Sequence, residues 1–145
     1  MPTRTARTAW DGGLMDGTGQ VELSSSGVGT YEVSFPRRTA DDAQGVTSPE
    51  ELIAAAHSAC YAMQLSAAVA DAGGTPRSLD VTADVTLGPD TKGFRISDIR
   101  LTVRGEVENL DADGFAKAAQ AAKDGCPVSK ALTGTTITLD AALVD

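Results

Sequence analysis

An α+β domain, an antiparallel sheet wrapped on one long central helix, is what this chain predicts, and three features predict it. Ser48 to Gly73 reads as a single uninterrupted helix. Leu79, Val81, Ala83, Val85 and Leu87 alternate strictly, as on a half-buried strand. Phe115, Ala118, Ala119 and Ala122 recur at helical spacing between two further strand patterns. The resulting order, β-β-β-α-β-β-α-β, is that of one domain spanning residues 1–145, with a helix laid on a sheet.

Residues 7–11 and 19–25 read as short strands, with Gly12–Gly13 and Asp16–Gly17 as turn signals. Val28 to Phe35 is a third, ended by Pro36, and PRRTADDAQGVT follows as a polar loop. The long helix opens on a capping box: Ser48 accepts from the amide three residues on, and Glu51 reaches back to the Ser48 amide. Pro49 stands at N1, Glu50 and Glu51 sit at the positive end of the helix dipole, and Gly73 stops the helix in the left-handed region. Leu52, Ile53, Ala55, Ala56, Ala59, Cys60, Met63, Ala67 and Ala70 form a wide apolar stripe, and Ala54, Ala62, Leu65, Ala68 and Val69 cover much of the remainder. A helix apolar nearly all round is buried on most sides. At about 35 Å it is long for one small sheet to cover. His57, Ser58, Gln64 and Ser66 argue against a membrane, so a partner subunit is the expected cover.

Gly73–Gly74–Thr75–Pro76 breaks the chain before the alternating strand, and Gly88 to Gly93 turns it into a return strand carrying Phe94, Ile96, Ile99, Leu101 and Val103. The apolar phase slips near Ser97–Asp98, where a β-bulge restores one buried face. Asp111 is an N-cap for the second helix, which Gly125 closes. GCPVSKAL then opens a short helical turn, and Ile137, Leu139, Ala141 and Leu143 mark the last strand.

Twelve basic against twenty acidic residues give a net charge of −8, which disfavours nucleic acid and anionic membranes as partners. The N-terminus lacks an apolar leader segment, so the expected location is cytoplasmic, with reduced thiols. Two cysteines and one histidine are too few for a Cys/His zinc site.

Cys60 falls on the apolar stripe and reads first as a small core residue. Cys126, between Gly125 and Pro127, sits near a helix N-terminus, where a thiol's pKa is lowered. The two cysteines, 66 positions apart, read either as a structural disulfide or as a peroxidatic and resolving pair. The second reading needs a cation beside one sulfur; Arg37, Arg38 and His57 are the candidates. His57 and Cys60, spaced i,i+3, also suit a Cys–His nucleophile pair, against the plainer reading of a core histidine. Asp41 and Asp42 read as solvated loop charges. Glu51 belongs to the capping box, leaving Glu50 free to orient an arginine from the preceding loop.

TSPEELIAAAHSACYAM together with GCPVSKAL resembles the OsmC/Ohr superfamily of small thiol peroxidases, and its wording is closer to the OsmC branch. The resemblance implies an OsmC-like fold and an intertwined homodimer, with two long helices crossing at its centre. It implies Cys60 as peroxidatic cysteine, Cys126 as resolving cysteine, and Glu50 as the carboxylate orienting an active-site arginine. That arginine best matches Arg38, with Arg37 as second choice. The reaction implied is reduction of a hydroperoxide, organic in preference to hydrogen peroxide. It runs through a Cys60 sulfenic acid and a Cys60–Cys126 disulfide. An external dithiol (lipoyl-based in the Ohr branch) reduces the disulfide, and neither metal nor organic cofactor takes part. The competing reading is a dimeric binding module for an apolar small molecule, with little catalysis.

Overall fold

The computed structural model describes residues 1–144, which fall into two compact units, one ending at Leu52 and the other beginning at Ile53. The first carries the predicted meander: β1 (Arg7–Asp11), β2 (Thr18–Glu22) and β3 (Thr30–Val33), antiparallel in that order. β2 ends earlier than the 19–25 pattern suggests because the backbone folds over at Leu23. Its amide donates to the Gly29 carbonyl at 3.1 Å, and the Gly27 amide donates back to the Leu23 carbonyl at 2.8 Å. β3 likewise stops at Val33, short of Phe35. Ser34 is extended and caps a single helical turn, α1 (Phe35–Arg38), its hydroxyl accepting from the Arg37 amide at 3.4 Å. The start of the expected polar loop is therefore helical. Pro36 does not merely end a strand; its fixed φ suits the first turn of a helix.

The long helix, α2, runs Pro49–Asp71. At its N-terminus the Ser48 hydroxyl accepts from the Glu51 amide at 3.1 Å, the first half of the capping box. The reciprocal half does not form: the Glu51 carboxylate instead accepts from the Thr47 hydroxyl at 2.5 Å. The C-terminus closes as a Schellman motif. Gly73, at φ +89°, donates to the Ala70 carbonyl, and the Gly74 amide donates to that of Val69 at 2.9 Å.

The second unit holds β4 (Thr75–Pro89), β5 (Phe94–Glu108) and β6 (Thr136–Leu143), with β5 central. Thr75 and Pro76, expected in the breaker, already belong to β4. β4 and β5 pair antiparallel, and Ser97 is skipped where Thr86 faces Asp98 and Leu87 faces Ile96, the predicted bulge. A second shift, at Arg77, was not visible in the apolar pattern. β6 runs parallel to β5, so this sheet is mixed rather than wholly antiparallel. The reason is the connection: α3 (Ala112–Gly125) and α4 (Pro127–Ala131) form a crossover long enough to return the chain in the same direction.

α3 is capped by Asp111, whose carboxylate accepts from the Gly114 amide at 2.8 Å, and it buries Phe115, Ala118, Ala119 and Ala122 as the spacing requires. Phe115 packs directly on the β5 backbone at Gly105, where a Cβ would lie 2.9 Å from its ring. These residues join Leu101 and Val103 of β5 and Tyr61, Leu65 and Val69 of α2 in one core cluster. Each large apolar side chain so buried contributes about 1.5–3 kcal/mol. The buried face of α2 is thus His57, Tyr61, Leu65 and Val69, four residues apart. It is not the wide stripe read from the sequence: Ala55, Ala56, Ala59, Met63, Ala67 and Ala70 are exposed. The bulkier side chains fill the space over the sheet, and the alanine-rich face turns away.

Candidate active site

Two cysteines from distant parts of the chain meet in the second unit. Cys60 lies in the fourth turn of α2, and Cys126 is both the C-cap of α3 and the N-cap of α4. Their sulfurs are 3.2 Å apart, within hydrogen-bond reach of each other, and both are free thiols. A disulfide of about 2.05 Å requires only a short approach from there. The two differ in access. Cys126 is fully buried, whereas Cys60 is partly exposed, so a solute reaches Cys60 first.

Their acidities also differ. Burial pushes the Cys60 thiol up, the amide of Val128 opposes this, and the neighbouring Cys126 adds to the rise. Burial raises Cys126 as well, but the Ser129 amide, Cys60, the Ser129 hydroxyl and the Val128 amide together bring it below the ordinary thiol value. Pro127 at N1 supplies no amide, so the N–H groups of the next two residues are the first of α4 to face the sulfur. Within this unit negative charge therefore rests more easily on Cys126 than on Cys60.

Of the three candidate cations, His57 takes the plainer reading, a core histidine. It is fully buried, and burial lowers its pKa, which keeps the ring neutral. Its Nε2 is 2.7 Å from Ser129 Oγ, and its Nδ1 has no partner among the described residues. Sequence reasoning missed Ser129. One signal was present: in CPVS it follows Cys126 by three positions, one turn along α4.

The first unit brings together the other predicted pair. Arg38, the last residue of α1, donates from Nε to both carboxylate oxygens of Glu50, at 3.0 and 3.2 Å, and from Nη2 to Oε1 at 2.7 Å. Ser34 sets the turn that presents Arg38, and Glu50 follows Pro49 at the N-terminus of α2. The Glu50 side chain is 9% exposed and that of Arg38 31%, so the guanidinium keeps an open edge. Arg37, the second candidate, makes no ion pair among the described residues. Arg38 also borders a groove of about 290 Å³ whose other walls include Trp10, Leu14, Val33, Phe35 and Pro49, a mainly apolar surface with one cation at its edge.

The OsmC-like protein family matches residues 41–140. Peroxiredoxin OsmC of Escherichia coli (strain K12) is 42% identical over 131 residues, 90% of each chain. The organic hydroperoxide resistance protein OhrB of Bacillus subtilis superposes with a TM-score of 0.74 at 27% identity, covering 94% of this chain and 97% of that one. An organic hydroperoxide resistance protein from Elizabethkingia anophelis shares the fold, at 23% identity and TM-score 0.74, covering 99% of each chain. On sequence and fold alike, the chain belongs to the OsmC-like family.

Proposed function

We propose that this protein is a thiol peroxidase that reduces organic hydroperoxides, using Cys60 as the peroxidatic and Cys126 as the resolving cysteine. The observation that carries the reading is the pair of free thiols 3.2 Å apart, one reachable by solute and one buried. The name of the relative 42% identical to this chain, a peroxiredoxin, supports the reaction class. The name of a structural neighbour at 27% identity, an organic hydroperoxide resistance protein, supports an organic substrate.

In the proposed cycle the Cys60 thiolate attacks the terminal oxygen of the hydroperoxide. The O–O bond breaks, the alkoxide leaves as an alcohol after taking a proton, and Cys60 becomes a sulfenic acid. Cys126 then attacks the Cys60 sulfur; the S–S bond forms as hydroxide leaves, and it becomes water on protonation. An external dithiol restores both thiols by exchange. Because charge in the second unit favours Cys126, the peroxidatic thiolate needs a fixed cation. That is the role assigned to Arg38, whose guanidinium Glu50 orients.

The test is consumption of cumene hydroperoxide with a dithiol reductant. Wild type turns over and forms an internal disulfide, Cys60→Ser is inactive, and Cys126→Ser reduces peroxide but accumulates oxidised Cys60. Arg38→Ala lowers kcat/KM by about a hundredfold, as for removal of one preorganised charge-stabilising donor. Wild-type consumption no faster than that of Cys60→Ser would overturn the assignment.

A further inference from the structure

His57 takes no part in the cycle above, yet it is a fully buried imidazole whose hydrogen bond crosses 72 positions of sequence to Ser129. Ser129 is itself buried, and its hydroxyl and amide both bear on Cys126. His57 Nε2 lies 2.7 Å from Ser129 Oγ, Ser129 stands at N3 of the short helix that Cys126 caps, one turn from it, and Cys126 Sγ lies 3.2 Å from Cys60 Sγ.

The tautomer of His57 gives this series a direction. With its hydrogen on Nδ1, an N–H donor would be buried without a partner, and Nε2 would draw the Ser129 hydrogen away from Cys126. With its hydrogen on Nε2, only an acceptor lone pair is left unused, the commoner and milder deficiency. The ring then donates to Ser129 Oγ, and the Ser129 hydroxyl turns its hydrogen to Cys126. A thiolate so placed receives the Ser129 hydroxyl together with the amides of Val128 and Ser129.

We propose that His57 and Ser129 form a donor chain that holds Cys126 as the attacking thiolate for disulfide formation, without acting in peroxide reduction at Cys60. This rests on the peroxidase reading. The step is balanced within the protein: Cys126 Sγ bonds to the sulfur of Cys60 sulfenic acid, and the S–O bond breaks. The departing hydroxide recovers the proton that Cys126 released, giving water. His57 and Ser129 are positioning residues, since neither touches the hydroperoxide. The titratable groups bearing on Cys126 are Cys60, Tyr61 and, through Ser129, His57. The Tyr61 hydroxyl donates to the Ala119 carbonyl at 2.8 Å, and burial together with the Cys126 charge raises its pKa far above the working range.

The experiment uses full-length protein, one equivalent of cumene hydroperoxide, rapid acid quench and intact mass. Ser129→Ala removes a single oxygen from a small buried side chain, and His57→Gln guards against an effect peculiar to α4. Both variants form Cys60 sulfenic acid at the wild-type rate but close the disulfide about tenfold more slowly, the loss in thiolate fraction that one pKa unit produces. Under excess peroxide both accumulate sulfinic acid at Cys60. A second reading needs no turnover: in a Cys60→Ser background the ultraviolet absorbance of the Cys126 thiolate titrates at higher pH once Ser129→Ala is added. Disulfide closure at the wild-type rate with an unmoved titration overturns the proposal, and so does equal slowing of both steps. Wild type that consumes no hydroperoxide overturns the peroxidase reading instead, and the thiolate titration then decides the donor chain alone.

Discussion

A neutral imidazole sealed in a core makes stability depend on pH in a window of its own. Burial lowers the folded-state pKa of His57 below its ordinary 6.5, so the unfolded chain binds a proton more readily. The stability it permits is complete above the unfolded value and is lost as pH falls from there toward the folded one. The denaturant midpoint of wild type should therefore fall as pH drops below the ordinary histidine value of 6.5, and His57→Gln should flatten that slope. Asp140 and Glu108, which arginine partners hold below their usual values of 3.8 and 4.5, act only at lower pH, where their pairing is lost on protonation. An unchanged slope in His57→Gln would mean that other groups carry the acid sensitivity. The sequence made His57 visible as a candidate through its spacing to Cys60. Its actual partner lies 72 positions away, and only the fold brings Ser129 to it.

Helix ends and helix faces were not equally legible. The end of α2 rests on Gly73 at φ +89°, with no neighbouring atom within 4 Å of where a Cβ would stand. Gly73→Ala therefore meets no clash, only the left-handed backbone, and should lower unfolding free energy by about 1–2 kcal/mol without altering the thiols. Equilibrium urea denaturation measures this, and a change near zero would show that the Schellman turn relaxes freely. Such local chemistry is written in adjacent residues, which is why the Asp111 cap, the Phe115–Ala122 stripe and the Ser97 bulge could be read in advance. The buried face of α2 could not. Its apolar residues surround the helix, so periodicity gave no preferred side, and the choice of His57, Tyr61, Leu65 and Val69 depends on what α3 and β5 present to it. The parallel run of β6 was hidden for a related reason: alternation marks a strand but carries no direction. At the site, both cysteines and the Arg38–Glu50 pair were named from spacing and resemblance. The short α1 turn that presents Arg38 was read as loop.

At the scale of the whole molecule, two terms oppose each other in self-association. α2 is apolar enough over 18 residues, at mean hydropathy 1.3, to suit a membrane span, yet only 22% of that window is buried within the chain. The uncovered face is Ala55, Ala59, Met63 and Ala67 in one row, small side chains around a single Met that is 74% exposed. Small residues let helix backbones approach closely. A second copy of the same face is the self-complementary cover that a two-fold dimer provides. Against it stands a net charge of −8 on each copy. Long-range repulsion of this kind is screened over about 8 Å at physiological ionic strength, whereas apolar burial is not weakened by salt. Sedimentation velocity should therefore show a species of twice 14.8 kDa, with dissociation falling as salt rises. Met63→Glu, which puts a charge on this exposed apolar face, should shift the protein to monomer. A dimer that loosens with salt would be held by ion pairs instead of this face. A wild type that sediments at 14.8 kDa across micromolar concentrations would leave the face exposed and the homodimer excluded.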